Sequence, residues 1–207
     1  IAEMSGNHNQ SLERALDIVE AAAKAGAHAL KIQTYTPDTM TIDLDEREFH
    51  IGDPKSLWAG TSLYKLYGQA HTPWEWHKPK FERARALVLI HFSTPFDDTA
   101  VDFLETLDAP CYKIASFENT DVNLIRKVAA TGKPIIMSTG MATIAELDES
   151  VRAARMAGEP PDILIMPRIG QSALMDFDRA GESIAEGRKA ARRERAEIGK
   201  LARALGK

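Results

Sequence analysis

The chain has 207 residues, 44% of them hydrophobic and 27% charged, which is the balance of a globular protein and excludes a disordered or collagen-like chain. No run approaches the roughly 18–20 apolar residues of a membrane-spanning helix, mean hydropathy is -0.28, and the single cysteine, Cys111, excludes an internal disulfide and suits a reducing, cytoplasmic compartment. The net charge of -4 is unevenly placed: residues 188–207 hold eight Lys/Arg against two Glu, a local +6 that leaves -10 on residues 1–187, so the body is not a nucleic-acid-binding surface.

Short apolar runs alternate with Ala-rich helical stretches. Ile1–Met4 reads as the end of a strand, so the true N-terminus is expected upstream of Ile1. A helix over Ser11–Ala25 presents Leu12, Ala15, Leu16 and Val19 on one face and closes at Gly26. Ala29–Gln33 is the next strand. Residues 34–60 form a Pro/Asp/Gly-rich connection whose length is unusual for a compact domain and points to function. Thr72-Pro73-Trp74-Glu75 has the form of a helix start, with Thr72 as cap and Glu75 reaching back. That helix runs to about Leu87, and a strand follows at Val88–Ser93.

The rhythm then tightens. Helix Asp98–Leu107 leads to strand Cys111–Ala115, and helix Val122–Ala130 leads to strand Pro134–Ser138. Thr143-Ile144-Ala145-Glu146 is a second capping box and opens a helix to about Ala157. Gly158-Glu159-Pro160-Pro161 stops it, and Asp162–Met166 is a sixth strand. Strands separated by helices imply right-handed crossovers and a parallel sheet. No Gly-rich dinucleotide loop follows the first strand, which turns the reading from a Rossmann domain to an incomplete (β/α)8 barrel, a TIM-type fold that fills ~250 residues when whole. From Gln171 onward the composition becomes Ala/Arg/Glu-rich, with Ile198, Leu201, Ala202 and Leu205 on one helical face. The domain reading is therefore 1–166 for the partial barrel and 167–207 for a basic helical tail packed on a domain or partner.

Ligands of parallel α/β sheets sit at the carboxyl ends of the strands. Here those ends carry Glu3, then Lys31 and Gln33, then Ser93-Thr94, then Lys113 with Ser116 beyond, then Ser138-Thr139-Gly140. Lys31 and Gln33 are two apart and share a face. A lysine in an apolar strand is costly to bury without an anionic partner, and two in one sheet suggest a shared acidic ligand, a phosphate or carboxylate. The alternative is a structural ion pair of one lysine with Glu3. Asp97-Asp98 at a helix start favour the helix dipole over a metal. His8 falls in a site loop, His91 reads as a packed strand residue, and Cys111 as a buried thiol.

Five segments in order, Ile1-Ala2-Glu3-Met4-Ser5-Gly6-Asn7-His8-Asn9, Lys31-Ile32-Gln33-Thr34, Phe92-Ser93-Thr94-Pro95-Phe96, Tyr112-Lys113-Ile114-Ala115-Ser116 and Ser138-Thr139-Gly140-Met141, resemble the sialic acid synthase family. Tyr35-Thr36-Pro37-Asp38-Thr39-Met40-Thr41 and Leu57-Trp58-Ala59-Gly60 look most like its pseudaminic-acid-forming branch. The resemblance covers residues 1 to about 166. It implies a (β/α)8 barrel that condenses phosphoenolpyruvate with an amino-sugar aldehyde, a diacetamido-trideoxy-altrose in that branch. It further implies that Lys31, Thr94, Lys113, Ser116 and Ser138 hold phosphoenolpyruvate. By the same resemblance Glu3 and Gln33 are the catalytic positions facing the sugar, with Asn7 and Glu118 beside it. A divalent metal (Mn²⁺, Mg²⁺ or Co²⁺) is implied as Lewis acid, but the histidines that ligate it in the family have no counterpart here, and the pattern stops after Met166. The expected partners are those two small molecules, and a homodimer is one assembly the reading admits. Three further readings stay open on the residues: an N-acetylneuraminate synthase using N-acetylmannosamine, a Schiff-base aldolase through Lys113, and an inactive binding or assembly module.

Overall fold

The structure, a computed structural model, describes residues 1–140, 142–157 and 180–204. The chain divides into two compact units, Ile1–Ile114 and Ala115–Lys207. The sixth strand expected at Asp162–Met166, and the Gly158–Pro161 stop before it, lie outside the described residues.

The first unit alternates strand and helix. It contains β1 (Ala2–Glu3), α1 (Leu12–Lys24), β2 (Ala29–Thr34), α2 (Pro37–Met40), α3 (Leu63–Ala70), α4 (His77–Ala86), β3 (Ile90–Pro95), α5 (Asp98–Thr106) and β4 (Tyr112–Ile114). The strands lie side by side in chain order and pair in parallel, as successive β–α–β crossovers require. Ser11 caps α1 by accepting from Arg14 N at 3.2 Å, and α1 buries Ala15, Val19 and Ala22 as it packs along α4. Gly26 ends the helix with φ +77°, a left-handed conformation that glycine adopts without strain. In β2 and β4 the side chains alternate: Leu30, Ile32, Thr34, Tyr112 and Ile114 are buried, while Lys31, Gln33 and Lys113 stay partly open on the other face.

The stretch between β2 and β3 departs from the sequence reading, which has no helix at α3. The 34–60 connection contains α2 and a 3-10 turn at Arg47–Phe49. Its neck is tied by a bridge between His50 and Ser62, with Ile51 N donating to Thr61 O and Gly60 N donating to Ile51 O, both at 2.9 Å. The expected cap at Thr72 does not form. Trp74–Trp76 makes a 3-10 turn and α4 begins at His77. Thr72 is 2% exposed and its hydroxyl accepts instead from buried side chains, so a tertiary contact displaces the local one.

The second unit contains α6 (Val122–Ala129), β5 (Ile135–Met137), α7 (Ile144–Ala157), α8 (Ala180–Arg193) and α9 (Arg195–Ala204). Asp121 caps α6 by accepting from Asn123 N at 3.1 Å and Leu124 N at 3.0 Å, and α6 packs on α7. The capping box at the start of α7 forms as read: Thr143 N donates to Glu146 Oε2 at 2.7 Å and Glu146 N to Thr143 Oγ1 at 3.3 Å. The basic tail is two helices that break at Glu194, and Ala190 of α8 is buried. Among the described residues no helix is long and apolar enough to cross a membrane.

Candidate functional site

Strand register assembles the polar strand ends. Glu3 pairs with Lys31 and Lys31 with Phe92, which makes one row across the first three strands. One step further, Gln33 pairs with Thr94, and the register that sets Ser93 beside Tyr112 brings Lys113 level with Thr94. Paired residues in parallel strands point to the same face, so Glu3, Lys31, Gln33, Thr94 and Lys113 form two stacked rows on one surface of the sheet.

The side chains in these rows touch. Lys31 Nζ makes an ion pair with Glu3 Oε2 and donates to Thr94 Oγ1 at 3.4 Å. Lys31 has a side chain only 12% exposed, which makes this a well-desolvated charge held by one carboxylate and one hydroxyl. The other Glu3 oxygen accepts from Ser5 N at 3.1 Å, and Ser5 Oγ donates to Gln33 Oε1 at 3.3 Å. Ser5 closes the network, although nothing in its residue type singled it out beyond its place two residues after Glu3. Lys113 Nζ reaches Ile114 O at 3.5 Å.

The loop after β1 is built to hold this end. Ser5, Asn9 and Gln10 all take positive φ values, and Asn7 N and the Asn7 Nδ2 amide both donate to Met4 O, at 3.2 and 2.8 Å. Asn7 thus fixes the turn with its side chain. Gly6 lies against α3, where a Cβ would fall 2.9 Å from Ala70 O. His8 is fully buried: its Nδ1 accepts from Gln10 N at 3.2 Å, so Nε2 carries the proton and donates to Thr72 Oγ1 at 3.2 Å. Burial lowers its pKa to about 4 and keeps the ring neutral.

The remaining expected site residues belong to the second unit. Ser116 stands beside the segment after β5, where a Cβ on Gly140 would meet Ser116 Oγ at 3.5 Å. Ser138 is the first residue of that segment, and Glu118 opens a 3-10 turn, Glu118–Thr120. The next residue, Asn119, is buried and its carbonyl accepts from Ser150 Oγ of α7.

Other candidates resolve to structural roles. Asp97 caps α5, accepting from Thr99 N at 3.1 Å and Ala100 N at 3.2 Å. Burial pushes the Cys111 thiol up to about 11, which leaves it a protonated, unreactive group. His91 is buried and stacks on Phe81 with ring centroids 4.4 Å apart. Among the described residues no three of His, Cys, Asp and Glu stand close enough to hold a metal ion. The divalent metal that the resemblance implies does not fit them.

The chain is similar to known proteins over most of its length. The NeuB family profile matches residues 18–167. The chain is 48% identical over 155 residues to a pseudaminic acid synthase of Helicobacter pylori, covering 75% of this chain and 45% of that protein. It is 50% identical over 147 residues to a pseudaminic acid synthase of Campylobacter jejuni, covering 71% of this chain and 42% of that one. The chain therefore spans less than half the length of these relatives. Among solved structures it superposes on an N-acetylneuraminic acid (sialic acid) synthetase of Leptospira borgpetersenii, in complex with citrate, with a TM-score of 0.63 and 26% identity, covering 81% of this chain and 55% of that one. The architecture is thus α/β with a parallel sheet of the TIM-barrel type, present in part, and the chain belongs to the NeuB family.

Proposed function

We propose that this chain forms the phosphoenolpyruvate-binding part of a nonulosonate synthase, a transferase that joins phosphoenolpyruvate to 2,4-diacetamido-2,4,6-trideoxy-altrose and releases phosphate. The observation that carries the reading is the Glu3–Lys31–Thr94 cluster at the carboxyl ends of β1–β3, on a chain 48–50% identical to pseudaminic acid synthases. Residues 1–166 are the synthase portion in this reading and 167–207 a separate basic tail, a division supported by the family match ending at residue 167. The compartment is cytoplasmic.

Lys31 and Lys113 supply positive charge and Thr94 a hydroxyl to the phosphate and carboxylate of phosphoenolpyruvate. Glu3 neutralises Lys31 while the ligand is away, so binding exchanges one anion for another rather than exposing a bare ammonium. The phosphoenolpyruvate methylene carbon attacks the aldehyde carbon of the sugar and forms the new C–C bond. The aldehyde oxygen takes up one proton. Water adds to the resulting cationic carbon and gives one proton back, and the C–O bond to phosphate then breaks, the new hydroxyl passing its proton to the departing phosphate to leave the keto acid. Glu3, still held by Ser5 N and released from Lys31 when phosphoenolpyruvate binds, carries that proton in this reading, and Gln33 orients the sugar beside it. For Ser116, Ser138 and Glu118 the assignment rests on the family resemblance. The described residues do not fit a metal.

Titration of the metal-free chain with phosphoenolpyruvate tests the reading. Saturable binding that Lys31→Met abolishes supports it, and no binding by the unaltered chain sinks it.

A further inference from the structure

Behind the two site rows, on the opposite face of β2 and β3, lies a second polar chain that the proposed chemistry does not use. His77, at the start of α4, is fully buried. Its Nε2 is 2.8 Å from Thr34 Oγ1, Thr34 Oγ1 is 2.6 Å from Ser93 Oγ, and Ser93 Oγ is 3.2 Å from Ile32 O. Thr34 and Ser93 are both 0% exposed. Thr34 follows Gln33, and Ser93 precedes Thr94. Each hydroxyl is therefore one residue from a site side chain that points the other way.

The proton positions follow from the partners. His77 Nδ1 faces Pro73 O at 3.3 Å, and a carbonyl only accepts, so Nδ1 carries the proton. Nε2 is then an acceptor and Thr34 must donate to it. The Thr34 proton is thereby spent, so the Thr34–Ser93 bond is donated by Ser93, whose single proton is then not available to Ile32 O, and that 3.2 Å approach is a contact rather than a link of the chain. The chain runs in one direction, from Ser93 to Thr34 to His77 to the Pro73 carbonyl. The ring is fixed further by the edge of Phe103 from α5, with centroids 5.2 Å apart at 79°. Burial pushes the His77 pKa down to about 3, which keeps Nε2 free to accept at neutral pH.

We propose that His77 is a positioning residue for the phosphoenolpyruvate site: through Thr34 and Ser93 it locks the ends of β2 and β3 so that Gln33, Thr94 and Lys31 keep their places on the other face. The proposal rests on the reading of that face given above. The geometry favours it because the relay joins the two strands at the rung where the site lies. A helix-borne histidine held by Pro73 and Phe103 is a rigid anchor for that rung, and its Nε2 is the acceptor that fixes the direction of the Thr34 and Ser93 protons.

The test uses pairs of variants: Thr34→Val against Thr34→Ser, and His77→Phe against His77→Gln. Thr34→Val and His77→Phe should weaken phosphoenolpyruvate binding by about tenfold, as the loss of a buried hydrogen bond at a supporting position does, while Thr34→Ser and His77→Gln stay within about threefold. Amide hydrogen exchange should quicken at Gln33 and Thr94 in Thr34→Val, without a matching rise in α1 or α5, and recover in Thr34→Ser. Nitrogen-15 spectra of the unaltered chain should show His77 as the Nδ1-protonated tautomer. If the unaltered chain binds no phosphoenolpyruvate, the functional reading fails, and exchange at Gln33 and Thr94 still decides the relay. Unchanged exchange at those two amides in Thr34→Val, an Nε2-protonated His77, or equal weakening by Thr34→Ser and Thr34→Val would each overturn the proposal.

Discussion

Lys80 Nζ lies 3.5 Å from Thr72 Oγ1, and the same hydroxyl oxygen accepts from Nε2 of His8 at 3.2 Å. Thr72 therefore spends both its lone pairs on two basic groups that are themselves fully buried. Burial lowers the Lys80 pKa to about 7. Burial first, and the Lys80 charge second, lower His77 and His91 to about 3 and His8 to about 4. The first unit thus holds four basic groups in or near their neutral forms.

Stability should rise with pH in two stages. The unfolded chain protonates its histidines near 6.5, whereas the folded chain resists until about 3 to 4. Below pH 6.5 the unfolded state binds more protons, so stability present above that pH is lost as pH falls, at up to ~4 kcal/mol per pH unit if all three histidines count fully. Lys80 adds a second limb: between about 7 and 10.5 the unfolded lysine is charged and the folded one is not, so stability climbs again towards alkaline pH. Its ceiling is on the order of 5 kcal/mol. Thermal melts from pH 4 to 10 check both limbs; Lys80→Met should remove the alkaline limb and, by taking away the charge that helps lower the three histidines, also shrink the acid limb. A flat profile between pH 7 and 10 in the unaltered chain would contradict the burial of a neutral lysine.

Gly6→Ala should destabilise the loop that carries Ser5 and Asn7. The added methyl would lie 2.9 Å from the backbone oxygen of Ala70, which cannot rotate away, so the loop or α3 must move. The expected loss is about 1–3 kcal/mol, as for overpacking elsewhere. Chemical denaturation measures it, and the same variant should bind phosphoenolpyruvate less tightly because Ser5 supports both Glu3 and Gln33.

Lys113→Ala should weaken phosphoenolpyruvate binding by about 2 kcal/mol, some 30-fold, as removal of a charge-assisted contact does. Lys113 stands level with Thr94 on the site face, so its ammonium can reach the same anion. Calorimetry without added metal gives the number. Equal affinity in the variant would remove Lys113 from the ligand set and leave Lys31 as the principal cation.

The polar strand ends were legible in the sequence because a lysine inside an apolar strand is anomalous in itself. Glu3, Lys31, Gln33, Thr94 and Lys113 could be named from that anomaly and from the resemblance. Their arrangement could not, since it depends on register: only the pairing of Glu3 with Lys31 and of Gln33 with Thr94 makes two rows. The His77–Thr34–Ser93 relay left no local trace, because its members are 43 and 59 residues apart. Thr72 shows the opposite failure. Its local capping signature was clear, and the buried donors His8 and Lys80 took the hydroxyl instead. The helix α3 escaped notice because eight residues give periodicity little room, although Ser62 accepts from Lys65 N as a cap should.

The tail gives the last prediction. In α8 the arginines and Lys189 are exposed, while Ala190 is 1% exposed, so one small side chain is buried amid the helix's positive charge. Its ion pairs, Lys189 with Glu186 and, in α9, Lys200 with Glu197, are single-turn surface pairs. Pairs of that kind contribute little, so Glu186→Gln and Glu197→Gln should each change stability by no more than ~0.5 kcal/mol, and added salt should act as weakly. Ala190→Glu forces both volume and charge into that buried position and should cost roughly 1–3 kcal/mol. Melting curves of the three variants separate packing from charge. If Ala190→Glu melts as the unaltered chain does while either glutamine variant falls, the tail is held by its charges and the burial of Ala190 contributes nothing.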